Sequence, residues 1–196
     1  MRPIIVTEFL TLDGVMEAPG GGEHPHAGWT FRDIEFVPEA YALKGREQEE
    51  ATALLLGRVT FEEFAPVWPS MDDQFARYNA MPKHVVSTTL TADEVEANPW
   101  GRCSLLGSIA EVAALKETEG GPIIVHGSAR VAQSLAAAGL VDRYHLVTFP
   151  VLLGAGKRLF GEDGDRFTRL RLVEDETFSN GVRASVYDVV REGPGA

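Results

Sequence analysis

The sequence has very little cysteine. Cys103 is the only one among 196 residues, so no disulfide can form within the chain. A single cysteine is compatible with a reducing cytoplasm, where we expect the protein, and packing is the expected role of Cys103. No stretch approaches the roughly 20 apolar residues of a membrane-spanning helix, and the apolar run from Ile4 to Leu10 is too short for a signal sequence. We therefore expect no membrane partner.

Positive charge is scarce as well. The chain has 18 Lys and Arg against 29 Asp and Glu, which gives a formal net charge of -11. Most of the surface would repel a phosphate backbone, so we expect no nucleic-acid partner. Any phosphate-binding site must be locally basic. Metal ligands at standard spacing are also lacking: His24 and His26 form a pair without a matching Cys, Asp or Glu, and we expect no metal.

One glycine-rich stretch is similar to a nucleotide-binding loop without meeting its requirements. Gly154-Ala155-Gly156-Lys157 ends in the Gly-Lys pair of a P-loop. Val151 stands where that motif needs a glycine, and Arg158 stands where it needs Ser or Thr. We expect a bend or bulge here instead.

Strand and helix patterns alternate along the chain. Continuous apolar runs typical of buried parallel strands are followed by stretches rich in helix-forming residues. A closing pair of alternating runs joined at Asn180-Gly181 predicts an antiparallel hairpin. The prediction is an α/β protein with a mostly parallel central sheet flanked by helices, in one domain over residues 1–192, with a disordered tail at 193–196. The predicted strands are 4–9, 53–56, 83–87, 104–106, 123–126, 144–149, 170–178 and 182–190, and the predicted helices are 38–52, 60–64, 108–116 and the segment after Ser128.

Three strand ends carry groups that suit an anionic ligand. They are residues 57–60, 87–88 and 127–130, which offer backbone N–H, hydroxyl and guanidinium donors. Carboxyl ends of parallel strands share one edge of a sheet, so these segments are expected to converge. Ser128 is a candidate N-cap, and Thr60, three residues before Glu63, suggests a capping box. The alternative is that these three segments are ordinary connections between strands and helices and bind no ligand.

The order and spacing of six motifs resemble the dihydrofolate reductase superfamily, in the branch of the reductase domain of bacterial riboflavin biosynthesis proteins. The resemblance implies the dihydrofolate reductase-like fold, a homodimer and an NADPH site. Arg58 and Thr60 would hold the adenosine-side phosphates, and Ser87 and Thr88 would lie near the 2′-phosphate. The motifs are residues 11–14, 55–62, 83–88, 123–130, 139–144 and 150–160, and the implied cofactor contacts are Leu12, Gly14, Gly57, Arg58, Val59, Thr60, Ser87, Thr88, Gly127, Ser128, Ala129 and Arg130.

Three further residues are candidates for the substrate side of the site. Asp13, at the end of the first strand, is the candidate for a substrate contact or proton relay, with a turn-forming role as the alternative. Trp68 either covers the core or forms a wall of the substrate pocket, and Thr148 faces the substrate by resemblance. We expect an NADPH-dependent reductase of a small heterocycle, such as a ribosylamino-pyrimidine or a pterin. The alternative is a non-catalytic module that keeps the nucleotide pocket.

Overall fold

The fold is built on one eight-stranded sheet. A computed structural model describes residues 1–161 and 167–191, so the expected tail at 193–196 lies outside the described residues. The strand order is β4-β3-β2-β5-β1-β6-β8-β7. The six strands from β4 to β6 are parallel to their neighbours, and β8 and β7 are added antiparallel. The strands are β1 (Ile4–Thr11), β2 (Ala53–Gly57), β3 (Lys83–Val86), β4 (Cys103–Leu106), β5 (Ile123–His126), β6 (Arg143–Phe149), β7 (Leu170–Thr177) and β8 (Arg183–Val189).

Within residues 1–161 and 167–191, six α-helices cover the two faces of the sheet. They are α1 (Ala42–Glu50), α2 (Arg58–Phe64), α3 (Asp72–Ala80), α4 (Ala92–Glu96), α5 (Ile109–Lys116) and α6 (Ala129–Ala137), with short 3-10 turns at Pro38–Tyr41 and Trp68–Met71. The predicted fold class, including the C-terminal antiparallel hairpin, is confirmed. None of the helices in the described ranges is long and apolar enough to cross a membrane.

The two faces of the sheet have different cores. On one face, α5 and α6 cover a single apolar cluster that includes Val6, Val125 and Leu135. On the other face the apolar residues fall into two clusters. One lies under α2, α3 and α4 and includes Ile5 and Leu56. The other lies under α1 and includes residues of β1, β6 and β8. The gap between these two clusters is occupied by polar side chains, described below.

The helical details differ from the sequence prediction at several places. Thr60 does not cap α2: the helix begins at Arg58, and Thr60 is buried inside it. The Thr60 hydroxyl instead accepts a hydrogen bond from Ser128, so a tertiary contact replaces the predicted cap. Two helices were not predicted, α3 and α4. A real capping box opens α4, where Thr91 and Glu94 bond each other's backbone N–H groups.

The chain connections create a crevice at the centre of the sheet. The segment after β5 leads to α6 on one face, whereas the segment after β1 leads to α1 on the other. β5 and β1 are neighbours, with Thr7 in register with His126. Adjacent parallel strands whose connections leave on opposite faces form the usual ligand-binding crevice of an open α/β sheet.

Candidate functional site at the carboxyl edge of the sheet

Two of the three predicted strand ends interlock at this edge. Ser128 Oγ accepts a hydrogen bond from the Gly57 backbone N–H at 2.8 Å and donates one to Thr60 Oγ1 at 2.9 Å. The turn after β5 is thereby fixed to the turn after β2. Ser128 occupies the N-cap position of α6, but its side chain makes no capping bond, so the predicted capping role is wrong. Its hydroxyl is already used between the two turns.

The backbone of the β5–α6 turn is tightly constrained. Gly127 has φ 65°, and Ser128 has φ 68° and ψ 53°, so two successive residues are left-handed. A Cβ atom at Gly127 would lie 2.9 Å from Thr60 Cγ2. Only glycine fits this close approach. The peptide bonds of the described residues are all trans, including that between His126 and Gly127. The result is a compact turn at the N-terminus of α6, where unpaired N–H groups favour an anion.

Accessible donors surround the interlocked turns. Arg58, Val59, Thr88 and Arg130 are exposed. The Arg58 guanidinium pairs with Glu62 one helical turn away at 2.8 Å, with both side chains nearly half exposed. Such a surface pair is worth at most about 1 kcal/mol, so Arg58 can exchange Glu62 for a phosphate.

The third strand end is organised by its own side chain. Ser87 is buried, and its hydroxyl accepts hydrogen bonds from the backbone N–H groups of Thr89 and Leu90, each at 3.1 Å. Ser87 therefore shapes the loop after β3, and Thr88 is the member of the predicted pair that faces solvent.

Asp13 is engaged in holding a turn. Its carboxylate accepts hydrogen bonds from the Thr11 hydroxyl at 2.6 Å and from the Gly154 backbone N–H at 2.8 Å, and Arg158 lies 3.8 Å away. The bond from Thr11 lowers the pKa of Asp13, with burial opposing and the backbone donors adding to the effect. An ionised carboxylate accepts hydrogen bonds and has no proton to give. Leu12, beside it, is exposed and its backbone N–H bonds Val151.

Trp68 and Thr148 lie on different faces of the sheet. Trp68 packs against Tyr78, with ring centroids 4.3 Å apart, and against His126 at 6.2 Å. Thr148 stands between Val147 and Phe149 on β6, both of which belong to the cluster under α1, so by strand alternation Thr148 lies on the α6 face. Their side chains therefore do not share one wall, and substrate contact by either stays a prediction.

A buried polar network, which the sequence analysis missed, fills the gap between the two apolar clusters. His126, Thr7 and His145 form a row across β5, β1 and β6. Glu47 of α1 covers this row. Thr7 Oγ1 lies 2.7 Å from both Glu47 carboxylate oxygens, and His145 Nδ1 lies 2.9 Å from Oε2. The Lys44 ammonium group contacts the Thr7 hydroxyl and lies 3.5 Å from Glu47.

The neighbouring Tyr78 and His126 form a neutral pair within this network. The Tyr78 hydroxyl lies 2.9 Å from His126 Nδ1. Burial lowers the pKa of His126 to about 4, with Lys44 adding to the effect and Glu47 opposing it. Burial also raises the pKa of Tyr78 well above its ordinary value. Both groups are therefore uncharged at neutral pH. One feature of the sequence could have indicated this network: Lys44 and Glu47 stand three residues apart on a predicted helix, a spacing at which opposite charges can pair.

Glu8 is the one buried polar side chain of the described residues with an atom that lacks a partner. It is 4% exposed, and its Oε1 makes no hydrogen bond. Burial raises its pKa to about 8, opposed by Lys44 and reinforced by Glu47, while the Gly127 N–H, which faces the carboxyl, lowers it. Glu8 therefore carries a proton at neutral pH.

Metal ligands do not gather in the described ranges. No group of three or more His, Cys, Asp or Glu residues is placed to hold an ion there. His24 and His26 have ring centroids 5.8 Å apart, and His24 Nε2 lies 3.1 Å from the Ala155 carbonyl oxygen.

Comparison with known proteins identifies the family. The model of the RibD C-terminal domain matches residues 2–184, which is nearly the whole chain. The chain belongs to the RibD C-terminal domain family. This RibD C-terminal domain is 27% identical over 194 residues to YyaP of Bacillus subtilis (strain 168), described as uncharacterized, and the match covers 95% of this chain and 94% of that protein. The resemblance stated from the motifs is confirmed.

Solved structures share the fold of this RibD C-terminal domain. A protein from Shewanella sp. PV-4 assigned to riboflavin biosynthesis superimposes with a TM-score of 0.74 at 20% identity, covering 97% of this chain and 100% of that one. A pyrimidine reductase-like protein from Corynebacterium diphtheriae gives 0.61 at 16% identity, covering 97% and 93%. Identities this low establish the shared fold alone.

Proposed function

We propose that this protein is an NADPH-dependent reductase of a small planar heterocycle, such as a ribosylamino-pyrimidine or a pterin. Membership of the RibD C-terminal domain family supports a reductase of this type. The observation that carries the proposal is the pair of interlocked turns, Gly57 to Ser128 to Thr60, beside the crevice between β5 and β1. We further propose a cytoplasmic homodimer, which sedimentation equilibrium would test.

The residues at the edge fit a phosphorylated dinucleotide. The N-terminus of α6 offers unpaired backbone N–H groups, and Gly127 lets the turn before them pack directly against Thr60. Arg58 and Thr88 supply a guanidinium and a hydroxyl for the 2′-phosphate, which distinguishes NADPH from NADH. Arg130 is exposed at the start of α6, where its charge can attract the ligand.

The chemistry divides between cofactor and protein. The cofactor, when bound, supplies the hydride. In this proposal Leu12 and Gly14 line the nicotinamide side, with Gly57, Val59 and Ala129 providing backbone contacts to the rest of the dinucleotide. Trp68 and Thr148 contact the substrate from opposite faces of the sheet edge. Asp13 acts by fixing the turn that carries Leu12, through its bonds to Thr11 and Gly154.

The first test is cofactor binding and its selectivity. NADPH and NADH are titrated against the protein while the fluorescence of the dinucleotide is followed. Arg58→Ala removes the guanidinium proposed to contact the 2′-phosphate. A charge-assisted hydrogen bond is worth about 1.5–3 kcal/mol, so the NADPH affinity should fall about 10- to 100-fold while the NADH affinity stays nearly unchanged. Arg171→Ala, an exposed arginine on the hairpin, is the matched control.

The outcomes separate the proposal from its alternatives. Equal losses for NADPH and NADH in the Arg58 variant would refute the role in 2′-phosphate recognition. Candidate pterins and ribosylaminouracil derivatives are then added and NADPH oxidation is followed by absorbance. Binding of NADPH without oxidation by any candidate would favour a non-catalytic nucleotide-binding module.

A further inference from the structure

Glu8 lies at the crevice where the dinucleotide is proposed to bind. Thr7 of β1 is in register with His126 of β5, so the next residues along the two strands, Glu8 and Gly127, stand side by side. The Gly127 N–H faces the Glu8 carboxyl. Gly127 is also the left-handed residue that forms the interlocked turn. The carboxyl group therefore lies beside Gly127, the residue at which the proposed anion-binding turn begins.

The Glu8 side chain is buried without the partners that an ionised carboxylate needs. Glu8 lies on the same face of β1 as Val6 and Leu10, which belong to the apolar cluster under α6. The residue is 4% exposed and Oε1 has no hydrogen-bond partner within residues 1–161 and 167–191. An unpaired buried charge costs several kcal/mol, so a carboxyl group in this setting takes up a proton.

The charged groups around Glu8 do not neutralise it. The charge of Lys44 lowers the pKa of the Glu8 carboxyl, but the Lys44 ammonium group is engaged with Thr7 and Glu47 on the opposite face of the sheet. Glu47 repels a negative charge on Glu8. On the face of the sheet that carries Glu8, Tyr144 of β6 belongs to the same apolar cluster, and Arg130 is exposed at the start of α6. The ionisable groups on the opposite face are Lys44 and Glu47 from α1, Tyr78 from α3, His126 from β5 and His145 from β6.

We propose that Glu8 is a contact residue for the bound dinucleotide and that it must carry its proton for the dinucleotide to bind. The inference rests on the proposed function. A neutral carboxyl group can donate a hydrogen bond to the ligand, which satisfies the group whose Oε1 is otherwise without a partner. An ionised Glu8 would place a negative charge beside the turn that receives the phosphates and would repel them. Binding and protonation of Glu8 therefore favour each other.

The pH dependence of NADPH affinity tests this link. The dissociation constant is measured by fluorescence titration from pH 7 to pH 9, where phosphate groups are already ionised. With a Glu8 pKa of about 8, affinity should fall about tenfold over this range. Glu8→Gln keeps the size of the side chain but cannot ionise, so its affinity should not change with pH. Calorimetry at pH 8 in two buffers of different ionisation enthalpy should show uptake of about half a proton by the unmodified protein.

The outcomes distinguish this inference from the function on which it rests. A tenfold loss in the unmodified protein together with a flat profile for Glu8→Gln supports the inference. Equal pH dependence in both proteins, or no proton uptake on binding, overturns it and leaves the reductase proposal standing. Failure of the unmodified protein to bind NADPH at any pH overturns both. If the variant does not fold, proton uptake by the unmodified protein decides the question alone.

Discussion

Replacing Glu8 by glutamine should stabilise the protein, and increasingly so as the pH rises. Glu8 is buried, one of its oxygens has no hydrogen-bond partner among the described residues, and burial raises its pKa from the ordinary 4.5 to about 8. Because the folded-state value exceeds that of the unfolded chain, the folded protein holds a proton that the unfolded chain releases above pH 4.5. The contribution of Glu8 to stability is therefore complete below about pH 4.5 and is lost as the pH rises to about 8.

The size of the effect follows from the difference between the two pKa values. Each unit of difference corresponds to about 1.4 kcal/mol. At pH 7 Glu8 is ionised in the unfolded chain but protonated in the folded protein, and this difference lowers the free energy of unfolding by about 3 kcal/mol relative to a residue that does not titrate. Above pH 8, where the folded protein also loses the proton, the loss levels off at about 5 kcal/mol. Between pH 5 and pH 9 the stability advantage of Glu8→Gln should grow by about 4 kcal/mol. This growth does not depend on how well the amide itself packs.

The assay is urea unfolding of both proteins at several values between pH 5 and pH 9. The free energy of unfolding is extrapolated to water at each pH, and the two proteins are compared. Glu63→Gln serves as the control, because Glu63 is exposed on α2 and the replacement removes one carboxylate without changing the interior. A constant difference between Glu8→Gln and the unmodified protein would refute the assignment of a buried, protonated Glu8.

Two further substitutions test the turn and the polar network. Gly127→Ala should lower the free energy of unfolding by about 2 kcal/mol, since φ is positive and the new Cβ would meet Thr60. Gly139→Ala, where φ is also positive but the new Cβ would meet nothing, is the control. The difference between the two variants in urea titration gives the cost of the contact with Thr60. Glu47→Gln should lower the free energy of unfolding by at least about 3 kcal/mol, because the buried Lys44 would lose its carboxylate partner; Lys44 lowers the pKa of Glu47, whereas burial raises it. A loss under about 1 kcal/mol at pH 7 would contradict this role.

The sequence predicted the sheet better than it predicted the helices. Continuous apolar runs such as Ala53–Gly57 identified the buried parallel strands, and Asn180-Gly181 identified the hairpin, because both signals are local. α3 and α4 were missed because their residues are largely polar and exposed, and α4 is only five residues long. The three strand ends do reach one edge of the sheet, as their positions in parallel strands required.

The polar network could not be predicted in the same way. Glu47 meets Thr7 at a separation of 40 residues and His145 at a separation of 98, so no local pattern indicates these contacts. The hydroxyl of Ser128 was assigned to helix capping because the local pattern favours it, whereas the structure uses it to join Gly57 and Thr60. Glu8 illustrates the same limit, since Lys44, Glu47 and Gly127, which affect its protonation, come from distant parts of the chain.

The central position of β1 also determines when the fold can be completed during synthesis. β1 leaves the ribosome before every other strand of the sheet, yet its two neighbours are β5 and β6, and Ile4 pairs with Ile123. Such long-range pairing is slow, and an incomplete sheet exposes unpaired edges. The growing chain therefore has to carry β1 without any partner strand until about residue 126 has emerged, and with one unpaired edge until about residue 149. We expect that interval to be when the nascent protein depends most on chaperones.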